Sequence, residues 1–362
     1  MTVYYLTYVF LIVINLIISK LNIDVKKQRS VFCIFFFIAI TCVLGLRHQC
    51  MGIDLGYGYN SGYLSSFDNI NAFSWSEIFK LEQYLNYEKG FILFNKIIGS
   101  IYNDRQFFLV SCAFVSFLPI ALYINRKSDM PLLSAVIYLG LPAFMICYSG
   151  LRQGISIGIT VLSMKFIEEK KVIPFALTVL LAMQFHYSAI VFFVAYPLYY
   201  IRLNDTQKVV CVILVPIIYM FRESIFTFLS KILKENATTG ETGAFTFFAV
   251  LFLIYIFLIL FKNDDDDDDE SNGTINLFYV AVICQSFGGI HMLAQRVAYY
   301  FMIYAAVAIP TTLSKFKDRN ERNMMYIFVI LAFIIFGLWC IKRNEWAMSY
   351  PYYAFWSEEV FW

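Results

Sequence analysis

Long apolar runs, broken by short polar or charged turns, fill the chain from end to end. They lie near 3–19, 31–46, 106–125, 131–147, 153–169, 172–185, 188–201, 209–222, 244–261, 274–293, 297–314 and 323–341. Many approach the ~20 residues that a helix needs to cross a ~30 Å hydrocarbon layer, and several are short or bent. The pattern predicts an all-α fold: one polytopic membrane domain over 1–362 with about twelve transmembrane helices. The first run has no basic residues before it and no small-residue cleavage site after it. It therefore reads as a membrane helix rather than a signal peptide.

Composition agrees with the pattern. Hydrophobic residues make up 60% of the 362 and charged residues 15%, against roughly 45–50% and 25% in soluble domains. A net charge of +2 matters less than where the charges sit. The 19% aromatic content fits helix packing and interfacial belts. The eight cysteines are scattered without CxxC spacing, which argues against a disulfide framework or a metal site. Phosphate-loop, HExxH and GxSxG motifs are absent from the sequence, so nucleotide, zinc and serine-hydrolase chemistries lack support. No cofactor, metal or nucleic-acid partner is expected.

Basic residues set the orientation. Alternate connections carry Lys20/Lys26/Lys27/Arg29, Arg126/Lys127, Lys165/Lys170/Lys171, Arg202/Lys208, Lys262 and Lys315/Lys317/Arg319/Arg322. The positive-inside tendency makes these connections cytoplasmic and sends both termini outside. The aspartate run at 264–270 then lies in an acidic cytoplasmic loop, 263–273, whose charges repel and stay solvated. The longest connection, 47–105, is extracytoplasmic, as is the C-terminal tail, 342–362. That long loop carries Asp54, Asp68, Glu77, Glu82 and Glu88. An apolar stretch near 90–102 within it is too short to span and predicts a re-entrant or interfacial helix.

The same orientation collects the unusual polar residues on one face. Arg47 opens the long loop, Arg152 and Gln153 stand in the turn YSGLRQG, His186 in MQFHYSA, and Arg296 in HMLAQRVAYY. Each alone has a bland reading. A helix-end arginine snorkels to headgroups, a lone histidine hydrogen-bonds structurally, and a Tyr/Trp-rich tail anchors at the interface. Their convergence favours a site, because ionisable residues near membrane depth are costly and usually functional. Arginine grips phosphate bidentately, and a carboxylate or His186 can act as general base on a sugar hydroxyl.

Several stretches resemble the EpsG family of exopolysaccharide and O-antigen (Wzy-like) polymerases. They are RHQCMGIDLGYGY (47–59), YEKGF (87–91), SGLRQGISIGI (149–159) with QFHYSA (184–189), and QRVAYYFMIYAAVAIP (295–310) with SYPYY (349–353). Gly154 stands where the family usually has alanine. The resemblance implies a GT-C-like glycosyltransferase in the bacterial inner (cytoplasmic) membrane, with its active site on the extracytoplasmic face. Such an enzyme joins oligosaccharide repeat units carried on undecaprenyl pyrophosphate, which is both donor and acceptor. It implies no bound nucleotide sugar and no essential metal, and it allows for a chain-length regulator protein as a partner. In that reading Arg152 and Arg296 clamp the pyrophosphate with help from Arg47. His186, Glu88 or Asp54 is the base, and Gln153, Tyr300 and Tyr352 orient sugar.

Other classes fit less well. A transporter or flippase for a lipid-linked sugar or a small polar solute would tend to show an internal repeat and charges near the midplane. A membrane O-acyltransferase would place its histidine deep in a helix on the cytoplasmic side. A scaffold without turnover is the last alternative.

Overall fold

The computed structural model describes residues 1–58, 61–81, 85–233, 244–262, 269–343 and 347–358. Among these, helices account for the whole regular structure, and one isolated antiparallel bridge joins Arg47 and Ala354. The chain divides into two compact units. One comprises Met1–Ile190 with Ile327–Trp362, the other Val191–Tyr326.

The first unit contains α1 (Thr2–Ser19), α2 (Val25–Gly45), α3 (Tyr63–Ala72), α4 (Lys89–Ile101), α5 (Arg105–Lys127), α6 (Pro131–Gly140), α7 (Pro142–Ser149), α8 (Leu151–Glu168) and α9 (Val172–Met183). A 3-10 segment follows at Tyr187–Val194. The second unit contains α10 (Ala195–Tyr199), α11 (Asp205–Leu233), α12 (Ala244–Leu260), α13 (Asp269–Ser286), α14 (Met292–Met302) and α15 (Ala305–Ser314). The last helix, α16 (Arg319–Arg343), belongs to the first unit from Ile327 onward.

All twelve apolar runs are largely helical, but they do not all meet the length and apolarity of a full span. Five single helices do: α1, α2, α5, α11 and α16. The bent pairs α6–α7 and α14–α15 raise the number to seven. The other five runs fall short for physical reasons. The helices at Val172–Met183, Tyr187–Tyr199 and Ala244–Leu260 are short. Helix α8 carries Arg152, Lys165 and Glu168, and α13 opens on the polar stretch DESNGT.

Local chemistry explains the boundaries. Asp104 caps α5 by accepting from the Phe107 N–H at 2.8 Å, and Asp24 caps α2 through the Lys27 N–H. Pro131 and Pro142 occupy first helical positions, where a missing N–H is harmless. Pro142 also forces Leu141 into an extended conformation, so the run at 131–147 becomes two helices bent by 63°. The acidic loop expected at 263–273 is partly helix. Residues 263–268 lie outside the described residues, while Asp269 and Glu270 begin α13, where negative charge suits the helix N-terminus. In the tail, 344–346 and 359–362 lie outside the described residues.

The core of the first unit centres on α6, α7 and α8. Every residue from Leu132 to Leu151 is buried, and so is every residue from Gln153 to Val161. Small residues let these helices approach. A Cβ on Gly158 would come within 2.7 Å of the Ser116 carbonyl on α5. One on Gly337 of α16 would come within 2.9 Å of Gly140 Cα on α6, the close backbone contact favoured in membrane bundles. In the second unit α11 buries only 6% of its apolar window within the protein, as a helix facing lipid would.

Candidate functional site

Between Leu132 and Val161 a single side chain is not buried, and it is Arg152. It sits in the first turn of α8, where the helix dipole opposes a cation. Four groups from the long loop offset that. Arg152 Nη1 donates to Glu88 Oε2 at 2.6 Å and to the Asn86 carbonyl at 3.3 Å. Its Nε donates to the Tyr63 hydroxyl oxygen at 3.3 Å. The guanidinium carbon lies 4.4 Å from the Tyr87 ring centroid and 5.9 Å from that of Tyr63. With side chains 19% and 21% exposed, the Arg152–Glu88 pair falls between surface and interior. A net stabilisation of about 1 kcal/mol follows, because partial burial strengthens the attraction and raises the desolvation cost together.

Glu88 is also held from the other side. Its Oε1 accepts from the Tyr187 N–H at 2.9 Å, in the tip after α9. Gly90 makes this approach feasible, since a Cβ there would lie 2.6 Å from Gln184 Cβ and 2.7 Å from the Gln184 carbonyl. The same carbonyl accepts from Phe91 N–H at 3.0 Å. The stretches YEKGF, LRQG and QFHYS, distant in sequence, therefore meet at one place. His186 lies on this tip. Its Nδ1 accepts from Ser188 N–H at 3.3 Å and lies 2.6 Å from Ser188 Oγ, so the neutral ring carries its proton on Nε2.

Asp54 is exposed, and its backbone N–H donates to Ser149 Oγ at 3.1 Å. Its carboxylate is near enough to push both Tyr63 and Tyr87 phenols upward, although burial is the main cause in each. Tyr63 reaches about 12, so its hydroxyl keeps its proton at neutral pH. An open groove of about 550 Å³ runs along α4 and α9 beside Lys89 and Gln184. Its walls are Phe79, Leu93, Phe94, Ile97, Leu181 and Phe185.

Arg47 is placed differently. It is 1% exposed, and its guanidinium donates to the carbonyls of Leu44, Met51 (3.2 Å) and Tyr148 (3.0 Å). Gly52, at φ 114°, packs where a Cβ would strike that same Tyr148 carbonyl. The motif opening the loop thus locks onto the end of α7, four residues before Arg152. Tyr352 joins this buried cluster, donating to the Val43 carbonyl at 3.0 Å and meeting Tyr4 edge-on. Gln153 is buried next to Arg152 in sequence. Arg296 and Tyr300 lie on α14 of the second unit. Arg296 is half-buried and Tyr300 fully buried. Among the other loop carboxylates, Asp68 pairs with Arg105, and Glu82 lies outside the described residues.

Sequence reasoning missed Tyr63 and Tyr87. Tyr87 could have been found, since it immediately precedes Glu88 in YEKGF. Tyr63 is 89 residues from Arg152, and only the folded loop brings it there. Among the described residues, no group of three or more His, Cys, Asp or Glu side chains is placed to hold a metal ion. The family model of the EpsG family matches residues 30–354. No curated protein and no solved structure matches the chain.

Proposed function

The chain belongs to the EpsG family, and from that premise we propose that it is a polysaccharide polymerase acting on repeat units linked to undecaprenyl pyrophosphate. Membership supports an exopolysaccharide-polymerase type of function, and the apolar helices mark a membrane protein. The finer reading rests chiefly on one observation: the sole non-buried side chain of a long buried stretch is an arginine, held in place by residues of the long loop. A fixed guanidinium is suited to an oxyanion, and a pyrophosphate is the anion such a polymerase must grip.

In this reaction the acceptor hydroxyl oxygen attacks the anomeric carbon of the donor glycan. The bond from that carbon to the phosphate oxygen breaks, and undecaprenyl pyrophosphate leaves. The hydroxyl proton passes to a protein base. Arg152 balances charge on the departing pyrophosphate. Asp54, exposed beside the two tyrosines, and His186 are the candidates for the base. Glu88 has both oxygens occupied and orients Arg152. Arg47 serves by locking the loop, with Tyr352 beside it, and Gln153 and Tyr300 support sugar binding. The groove along α4 and α9 suits the start of a prenyl chain. The site faces the extracytoplasmic side of a bacterial inner membrane, and a chain-length regulator is a further partner.

The test uses Arg152→Ala, His186→Ala and Arg296→Ala, each in a polymer-producing strain, with lipid-linked glycans resolved on a gel. Single repeat units accumulate and long chains vanish if the reading is right. Normal ladders from all three variants, with protein present at wild-type level, would sink it. Orientation is tested by thiol labelling of intact cells carrying Ser61→Cys or Asn204→Cys. The first is labelled from outside and the second is not.

A further inference from the structure

A guanidinium has two forks able to hold an oxyanion with parallel N–H bonds: Nη1 with Nη2, and Nε with Nη2. In Arg152 both forks have one arm engaged. Nη1 serves Glu88 at 2.6 Å and the Asn86 carbonyl at 3.3 Å. Nε serves the neutral Tyr63 oxygen at 3.3 Å. Among the described residues, Nη2 has no hydrogen-bond partner. The two forks therefore differ in what an arriving anion must displace. Opening the first means breaking a short charge-assisted bond whose carboxylate is also tied to Tyr187. Opening the second means releasing one long bond to a phenol.

Displacing the phenol also need not remove it. While Tyr63 oxygen accepts from Nε, its own proton remains available for another acceptor. Burial holds the phenol well above its ordinary value, so that proton is present at neutral pH. The ring is fixed, packed against Tyr87 at 5.6 Å and edge-on to Phe91 at 5.5 Å between centroids. Tyr87 in turn lies 4.4 Å from the guanidinium carbon, with its hydroxyl within 3.3 Å of Ser66 Oγ.

We propose that Tyr63 is a further oxyanion ligand of this site, its hydroxyl turning from accepting at Nε to donating to a phosphoryl oxygen seated on the Nε/Nη2 edge of Arg152. Tyr87 is a positioning residue: it acts through Arg152 by fixing the plane of the guanidinium. Glu88 stays on Nη1 throughout. This deepens the polymerase reading and rests on it for the identity of the anion as a pyrophosphate.

The test is binding of inorganic pyrophosphate to the full-length protein in lipid nanodiscs, measured by calorimetry beside the melting temperature of each variant. Arg152→Ala loses binding. Tyr63→Phe keeps the ring packing and weakens binding about tenfold, the usual worth of one hydrogen bond to a charged group. Tyr87→Phe stays near wild type, whereas Tyr87→Leu falls with Tyr63→Phe, all with melting temperatures close to wild type. Wild-type affinity in Tyr63→Phe, with binding lost in Arg152→Ala, overturns the role of Tyr63 and leaves the polymerase reading standing. Unchanged binding in Arg152→Ala, or none in wild type, overturns the cradle itself. The glycan ladder of Arg152→Ala separately decides the polymerase reading.

Discussion

Arg47 and Arg152 look alike in sequence, each an arginine at the edge of an apolar run beside a small-residue motif. Their surroundings separate them. Arg47 is 1% exposed and spends its donors on three backbone carbonyls, with the Tyr148 ring 5.2 Å away. Arg152 is partly exposed, and its partners include a carboxylate and a phenol. Backbone carbonyls cannot move aside for a ligand, whereas side-chain partners can rotate. The partner's mobility, more than the arginine's place in a motif, distinguishes a structural arginine from one poised for an anion.

The comparison can be broken most directly at its first member. Arg47→Ala strips three carbonyls of their donor in a dry setting, at a cost of about 4 kcal/mol. The protein is expected to be lost from membranes, as read by immunoblot. Arg152→Ala costs about 1 kcal/mol in stability because Glu88 keeps its Tyr187 N–H and some solvent. It leaves protein abundance near normal while abolishing long polymer. Equal losses of protein in both variants would erase the distinction. Gly90→Ala comes next. Its methyl would collide with Gln184, so the loop must lift away from the tip carrying His186. A drop of about 2 kcal/mol in thermal stability is expected, with polymer reduced. Glu88→Gln keeps an acceptor for Tyr187 but removes the ion pair. Polymer should shorten rather than vanish, with stability lower by about 1 kcal/mol. A null-like gel for this variant would make Glu88 the base instead. The smallest effect is Gly154→Ala. A Cβ there meets Ser116 Oγ at 3.4 Å and Cys147 Sγ at 3.5 Å, ordinary contacts, so the helix gains propensity. Stability should rise by about 0.5–1 kcal/mol, with normal ladders.

How much of this was legible beforehand depended on distance along the chain. The helices at Thr2–Ser19 and Ala244–Leu260 nearly coincide with their apolar runs, because burial in lipid or protein is written into every residue. Ends were harder to see. Helix α2 begins at Val25 and α11 at Asp205, since polar turns such as VKKQRS extend a helix beyond its apolar part. The break at Leu141 was visible in principle, as Pro142 alone enforces it. The site was half legible. Arg152, Glu88 and the His186 tip announce themselves through charge in apolar surroundings. The difference between Arg47 and Arg152 does not, because it is created by carbonyls and rings contributed from far along the chain.

The isolated bridge between Arg47 and Ala354 sets an order of events. His48 N–H donates to the Tyr353 carbonyl at 2.8 Å, Phe355 N–H to the Leu46 carbonyl at 2.9 Å, and Tyr352 hydroxyl to Val43. The entrance of the long loop is thus stitched to residues about three hundred positions further along the chain. Helices can insert one after another during translation, but this entrance cannot close until Phe355 has been added. A premature stop codon anywhere before Tyr352 would therefore leave the start of the loop unfastened, however intact the helices upstream.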